Sequence, residues 1–136
     1  MDNRIGIIVA THGDLARSLL GTAELILGRP CGMTPFVLSA DEPAQSAYQR
    51  LHALVQRAEA GRGVILLVDL FGGTPGSLAL SMLSDAGVGV VTGVNLPMIL
   101  AAAGLTAEQS LEQATTALEN AGRNAIKSAG QLLKSG

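Results

Sequence analysis

An open, doubly wound α/β domain is the fold this sequence predicts: a mainly parallel sheet with helices on both faces. Three observations lead there. Two short, unbroken apolar runs, Ile5–Ala10 and Val64–Val68, have the β-branched character of strands covered on both sides. Segments of helical period separate the strand-like runs, and such alternation implies parallel pairing through right-handed crossovers. Gly28, Pro30, Gly61 and Gly104 punctuate the segment ends. At 136 residues, with no linker, repeat or low-complexity stretch, the chain is expected to form one domain over 1–136.

The elements follow in order. Ile5–Ala10 is the first strand. Asp14 is placed to cap a helix whose stripe is Leu15, Leu19, Leu20, Ala23, Ile26 and Leu27, and Gly28 and Pro30 stop it. Thr34–Ser39 reads as a second strand. Asp41 or Glu42 with Pro43 opens a second helix, carried by Ala44, Ala47, Leu51, Leu54, Val55 and Ala58 as far as Gly61. Val64–Asp69 is the clearest strand. Thr74-Pro75 has the form of an N-cap followed by proline at the first helical position, with Leu78, Leu80, Met82 and Leu83 on the helix. Val88–Val94 is a fourth strand. Asn95-Leu96-Pro97 begins a helix that ends before Gly104, and Thr106 is expected to cap a last one through about Asn120. Beyond Gly122 the pattern fits helix and strand equally.

Composition narrows the functions. The net charge is -2 and the cations are scattered, which argues against nucleic-acid binding. No run approaches the roughly 20 apolar residues of a spanning helix. Asp2 and Arg4 lead into the first strand without the pattern of a signal peptide. The lone Cys31 has no partner for an internal disulfide, so a reducing, cytoplasmic setting is expected. Two histidines and one cysteine make a structural zinc site improbable.

The chemistry lies at strand ends, where open α/β sheets build their sites. His12 follows the first strand and precedes a helix. Asp69 closes the third and precedes Phe71-Gly72-Gly73-Thr74-Pro75. A carboxylate that takes one imidazole N–H selects a tautomer and leaves the other nitrogen's lone pair free. Gly13 and the Gly72-Gly73-Thr74 turn offer backbone N–H groups at helix starts, where phosphate is favoured. The plainer reading gives His12 and Asp69 capping roles and makes the glycines a tight connection; spacing alone leaves the two about even. His52 in mid-helix, Arg17 on the first helix and Cys31 in a loop read as packing or surface residues. A histidine phosphatase needs an arginine just before its histidine, where Ala10 and Thr11 stand. No Gly-x-Ser-x-Gly elbow or Gly-x-x-x-x-Gly-Lys-Ser/Thr loop occurs.

Three motifs taken together shift that balance. Thr11-His12-Gly13, Leu67 to Pro75 and Gly93-Val94-Asn95-Leu96-Pro97-Met98, in this order and spacing, resemble the enzyme IIA domain of the mannose family of the bacterial phosphoenolpyruvate-dependent sugar phosphotransferase system. The resemblance covers about Ile5 to Leu100. It implies strand order 2-1-3-4. It implies that His12 accepts phosphate from HPr and passes it to a IIB domain, with Asp69 orienting it and Gly72, Gly73 and Thr74 facing the phosphate. It implies no cofactor, and membrane contact only through other components. An alternative output is regulation, with the phosphohistidine reporting metabolic state. The resemblance also implies a homodimer in which the tail forms an antiparallel edge strand exchanged between subunits. Gly76 and Ser77 depart from the family, which often has a larger residue and then Asn. Asp14, close to a proposed dianion, is expected to point away or cap its helix.

Overall fold

The computed structural model describes residues 4–135; Asp2 and Gly136, at the outer ends of the expected domain, lie outside them. Four parallel strands form one sheet in the order β2-β1-β3-β4: β1 Gly6–His12, β2 Thr34–Leu38, β3 Val64–Val68 and β4 Val88–Thr92. Between them run α1 Leu15–Leu27, α2 Ala44–Ala58 and α3 Gly73–Ser81; α4 Leu96–Ala103, α5 Leu111–Asn124 and α6 Ala129–Ser135 follow β4. The central strands bury every side chain of β3 and Ile7 to Thr11 of β1, which is why both read as continuous apolar runs. Pro35 has no N–H to donate and sits in β2, an edge strand.

The two-residue period of the strands divides the core in two. Ile7, Val9, Ile65 and Leu67 face α1, α4 and α5 through Ala16, Leu20, Ala23, Ile99 and Leu118. Ile8, Ala10, Leu66 and Val68 face α2 and α3 through Ala47, Leu51, Val55, Leu78 and Ala79. The chain winds outward from β1 to β2, then returns across the sheet to β3. The turn after β1 therefore feeds a helix on one face and the turn after β3 feeds a helix on the other. A crevice opens between them.

Several local expectations are corrected. The last long helix starts at Leu111, not after Thr106. Ser110 Oγ accepts from the Gln113 N–H while the Gln113 side chain takes the Ser110 N–H, a reciprocal cap that outcompetes a lone threonine. It also runs on to Asn124. Asp14 does not cap α1 with its side chain; Thr11 Oγ1, buried at the strand end, accepts the Ala16 N–H at 2.8 Å instead. Helix α1 buries a narrower stripe than its sequence suggests, leaving Leu15 and Ile26 exposed. At α3 the N-cap is Gly72 rather than Thr74. The tail, expected as an exchanged antiparallel strand, is the short helix α6 in this single chain. Without a second copy to exchange with, a helix satisfies its backbone locally.

Candidate functional site

Strand parity sets the site. Thr11 points to the α1 face, where it holds the start of that helix. His12, one residue on, belongs to the opposite side, that of α3. Ala10 pairs with Val68, so Asp69 emerges beside the end of β1. Asp69 Oδ2 accepts the His12 backbone N–H at 3.0 Å and stands 3.0 Å from His12 Nδ1. Asp69 Oδ1 accepts the Leu70 N–H at 3.0 Å. Three contacts thus hold the carboxylate, and two of them tie it to one histidine. The imidazole is half exposed while the Asp69 side chain retains only 12% of its accessible surface. His12 meets solvent and partners; Asp69 works from behind it.

Burial pushes the Asp69 carboxyl up. The bonds from the His12 N–H and imidazole, with the His12 charge, outweigh that and leave it below the usual aspartate value. It is therefore ionised near neutrality and accepts the proton on Nδ1, so the lone pair of a neutral ring sits on Nε2.

Gly73 lies against that nitrogen. Its φ is +82°, and a Cβ there would fall 2.7 Å from His12 Cε1 and 2.9 Å from Nε2. Only glycine lets the turn approach the ring this closely. The leading N–H groups of α3 have no intrahelical acceptor, as at any helix start, and they rise from this turn beside Nε2. Gly13, φ +53°, makes the bend from β1 into α1 and has open space where a Cβ would be. Gly76 is buried one turn into α3, where a Cβ would meet the Leu70 and Phe71 carbonyl oxygens at 2.7 and 2.8 Å. A larger residue does not fit there, which explains the departure at Gly76; nothing in the structure explains Ser77.

The remaining candidates separate from the site. Asp14 is paired with Arg17 at 3.5 Å on the surface. His52 stacks on Tyr48 on α2, with ring centroids 5.9 Å apart. Burial raises the Cys31 thiol and quiets it. Asn95 caps α4 by accepting the Met98 N–H and ties it to α5 by donating to the Gly122 carbonyl, a structural role. The sequence reading missed two features: Thr11 as the anchor of α1, and an exposed apolar rim formed by Leu70 and Phe71, which follow Asp69, and Leu15, three residues after His12. An apolar pair directly after a strand-end carboxylate is the signal that pointed to this rim.

Comparisons with known proteins place the chain in a family. Residues 6–119 match the sequence profile of the family described as the PTS system fructose IIA component. The chain belongs to the mannose-class IIA family of the phosphotransferase system. It is 35% identical over 99 residues to the PTS system mannose-specific EIIAB component of Escherichia coli K12, a match covering 71% of this chain and 30% of that protein. The IIA chain thus spans under a third of the relative's length. It is 30% identical over 97 residues to the PTS system fructose-specific EIIA component of Bacillus subtilis, covering 71% of this chain and 66% of that one. Its fold superposes with a TM-score of 0.82, at 30% identity, on the PTS IIA protein associated with the fucose utilization operon of Streptococcus pneumoniae, covering 96% of each chain. The expected sheet order and family are therefore those found. Among the described residues, no helix is long and apolar enough to cross a membrane.

Proposed function

We propose that this IIA protein is a cytoplasmic phosphocarrier in sugar uptake: His12 accepts a phosphoryl group from phosphorylated HPr and delivers it to a IIB domain. One observation carries the reading. Asp69 fixes Nδ1 of a half-exposed imidazole, and Nε2 faces a glycine turn too close for any side chain.

The chemistry follows from the positions. Nε2 attacks phosphorus in line; the new Nε2–P bond forms as the bond to the donor atom breaks, and the donor keeps that electron pair. The proton on Nδ1 stays between the ring and Asp69, whose charge offsets the positive charge developing on the imidazole. Such transfers depend on positioning and charge neutralisation more than on covalent help from the protein. The N–H groups around Gly13 and Gly72-Gly73-Thr74 supply neutralisation without needing to reorganise. Delivery to IIB is the same step reversed toward another acceptor. The exposed Leu15, Leu70 and Phe71 give successive partners a common apolar seat.

The test is phosphorylation by phosphoenolpyruvate, enzyme I and HPr, read as an acid-labile mass increment. His12→Ala abolishes it and His52→Ala leaves it intact. Label retained without His12 rejects the assignment.

A homodimer accompanies this reading. β4 is an open sheet edge, and beside it lies a groove of about 530 Å³ lined in part by Phe71, Leu83, Met98 and Ile126. Leu132 and Leu133 are exposed nearby in sequence. An open edge next to unburied apolar groups favours pairing with a second copy. Light scattering of the full chain and of one ending at Ala125, which keeps α5 whole, checks it. A monomer at micromolar concentration removes the dimer, and a dimer that survives truncation removes the tail's part in it.

A further inference from the structure

Gly76 is a glycine that its own backbone does not require. It is buried inside α3, outside the positive-φ region that favours glycine. Glycine is also the poorest helix former after proline. What its missing side chain provides is room. A Cβ here would stand 2.7 Å from the Leu70 carbonyl oxygen and 2.8 Å from that of Phe71. Both are backbone atoms, so neither swings aside as a side-chain tip does. To reach the 3.4 Å of ordinary contact they would have to retreat by about 0.6–0.7 Å.

Those carbonyls belong to the peptides on either side of Phe71, so the contact with Gly76 braces that residue twice. The Leu70 N–H that Asp69 Oδ1 accepts lies one peptide earlier, across the Leu70 Cα. Phe71 itself is 73% exposed, the most exposed of the three aromatic residues; Phe36 is buried and Tyr48 stacks on His52. A solvent-facing aromatic ring on a braced backbone loses little freedom when a partner covers it.

Its position indicates what covers it. Gly73 lies two residues on, and a Cβ there would fall 2.9 Å from Nε2 of His12. Chain reach then keeps the Phe71 Cα within about 12 Å of Nε2. A protein that delivers phosphorus to Nε2 covers about 800 Å² around it, a disc of about 16 Å radius. Phe71 falls inside that disc. We propose that Gly76 is a positioning residue for recognition of phosphorylated HPr. It seats the two peptides of Phe71 against α3 and so holds the ring at the height the donor meets. This rests on the phosphocarrier reading and extends it to a buried residue that acts only through Phe71.

The kinetics of His12 labelling test this. All variants carry His52→Ala, so that label reports His12 alone. Phosphoramidate serves as a donor that needs no docking: its P–N bond breaks as Nε2–P forms, and ammonia leaves with the electron pair. Gly76→Ala is expected to raise the KM for phosphorylated HPr about tenfold, with kcat changed less than threefold and the phosphoramidate rate within twofold of the parent. Phe71→Ala is expected to raise KM as much or more. The two together should raise it no further than Phe71→Ala alone, because Gly76 works through that ring. Phe71 also borders the groove beside β4, so light scattering follows each variant, and an unchanged oligomeric state is expected. Should Gly76→Ala fail to fold, backbone relaxation at the Phe71 amide of the unaltered protein decides, with an order parameter of about 0.85 expected. An unchanged KM, an equal loss with phosphoramidate, additive losses, an oligomeric state that shifts with KM, or an order parameter below about 0.6 each overturns the proposal. A parent that phosphorylated HPr does not label at all rejects the phosphocarrier reading, and this inference with it.

Discussion

Replacing glycine by alanine at Gly73, Gly13 and Gly72 separates backbone strain from contact with the imidazole. At Gly73 both apply: φ is +82° and the new Cβ falls 2.7 Å from His12 Cε1. At Gly13 only strain applies, with φ +53° and nothing within 4 Å. At Gly72 neither applies, since φ is −93° and the space is open. A left-handed alanine costs about 1–2 kcal/mol, so the Gly73 and Gly13 variants should each melt about 3–8 °C lower. The contact at Gly73 adds little to that, because the far end of a side chain can give way. What gives way is the nucleophile. The ring must retreat by about 0.7 Å, from 2.7 Å to the 3.4 Å where ordinary contact begins. A shift of that size moves Nε2 away from the turn and disturbs the 3.0 Å contact of Nδ1 with Asp69. A misplacement approaching 1 Å costs about 10–100-fold in rate. Transfer from phosphorylated HPr, timed by rapid quench, should therefore fall by that factor in Gly73→Ala, change little in Gly13→Ala, and stay near wild type in Gly72→Ala. A Gly73→Ala rate within twofold of wild type, or equal losses at Gly72 and Gly73, would sink the reasoning.

Asp69→Asn keeps the shape but removes the charge, and its amide must turn an N–H either toward the Leu70 N–H or toward both His12 donors. A hydrogen bond to a charged group is worth about 1.5–3 kcal/mol, so transfer should slow about 10–100-fold with the fold retained by circular dichroism; wild-type rates with both HPr and IIB would exclude the orienting role. Glu42 bears on acid stability: hydrogen bonds from Arg50, opposed by burial and helped by Ser46, pull its carboxyl down to about 2. The folded value lies below the unfolded one of about 4.3, so its stabilisation is complete above the unfolded value and fades as pH falls toward the folded value. Glu42→Gln should lower the melting temperature at pH 7 and by less at pH 3; an equal deficit at both would show that the ion pair with Arg50, at 2.6 Å, adds nothing through its charge.

Much of this protein is legible in the residues alone, for one physical reason: the strongest signals are local. Unbroken apolar runs mark β1 and β3 because both faces of those strands are buried, and helical spacing marks α2 through Ala47, Leu51 and Val55. His12, Gly13, Asp69 and the Gly72-Gly73-Thr74 turn follow the apolar runs directly in the sequence, and the order of the three motifs points to the family. Tertiary structure decided what depends on residues far apart in sequence. Strand parity alone does not say which face receives Thr11 and which His12; the reversal of winding between β1 and β3 does. Ser110 prevails over Thr106 because Gln113 can return its hydrogen bond. The need for glycine at positions 73 and 76 arises from His12 and from the Leu70 and Phe71 carbonyls crowding those Cα atoms. Each depends on distances that the chain acquires only when the sheet brings separate segments into contact.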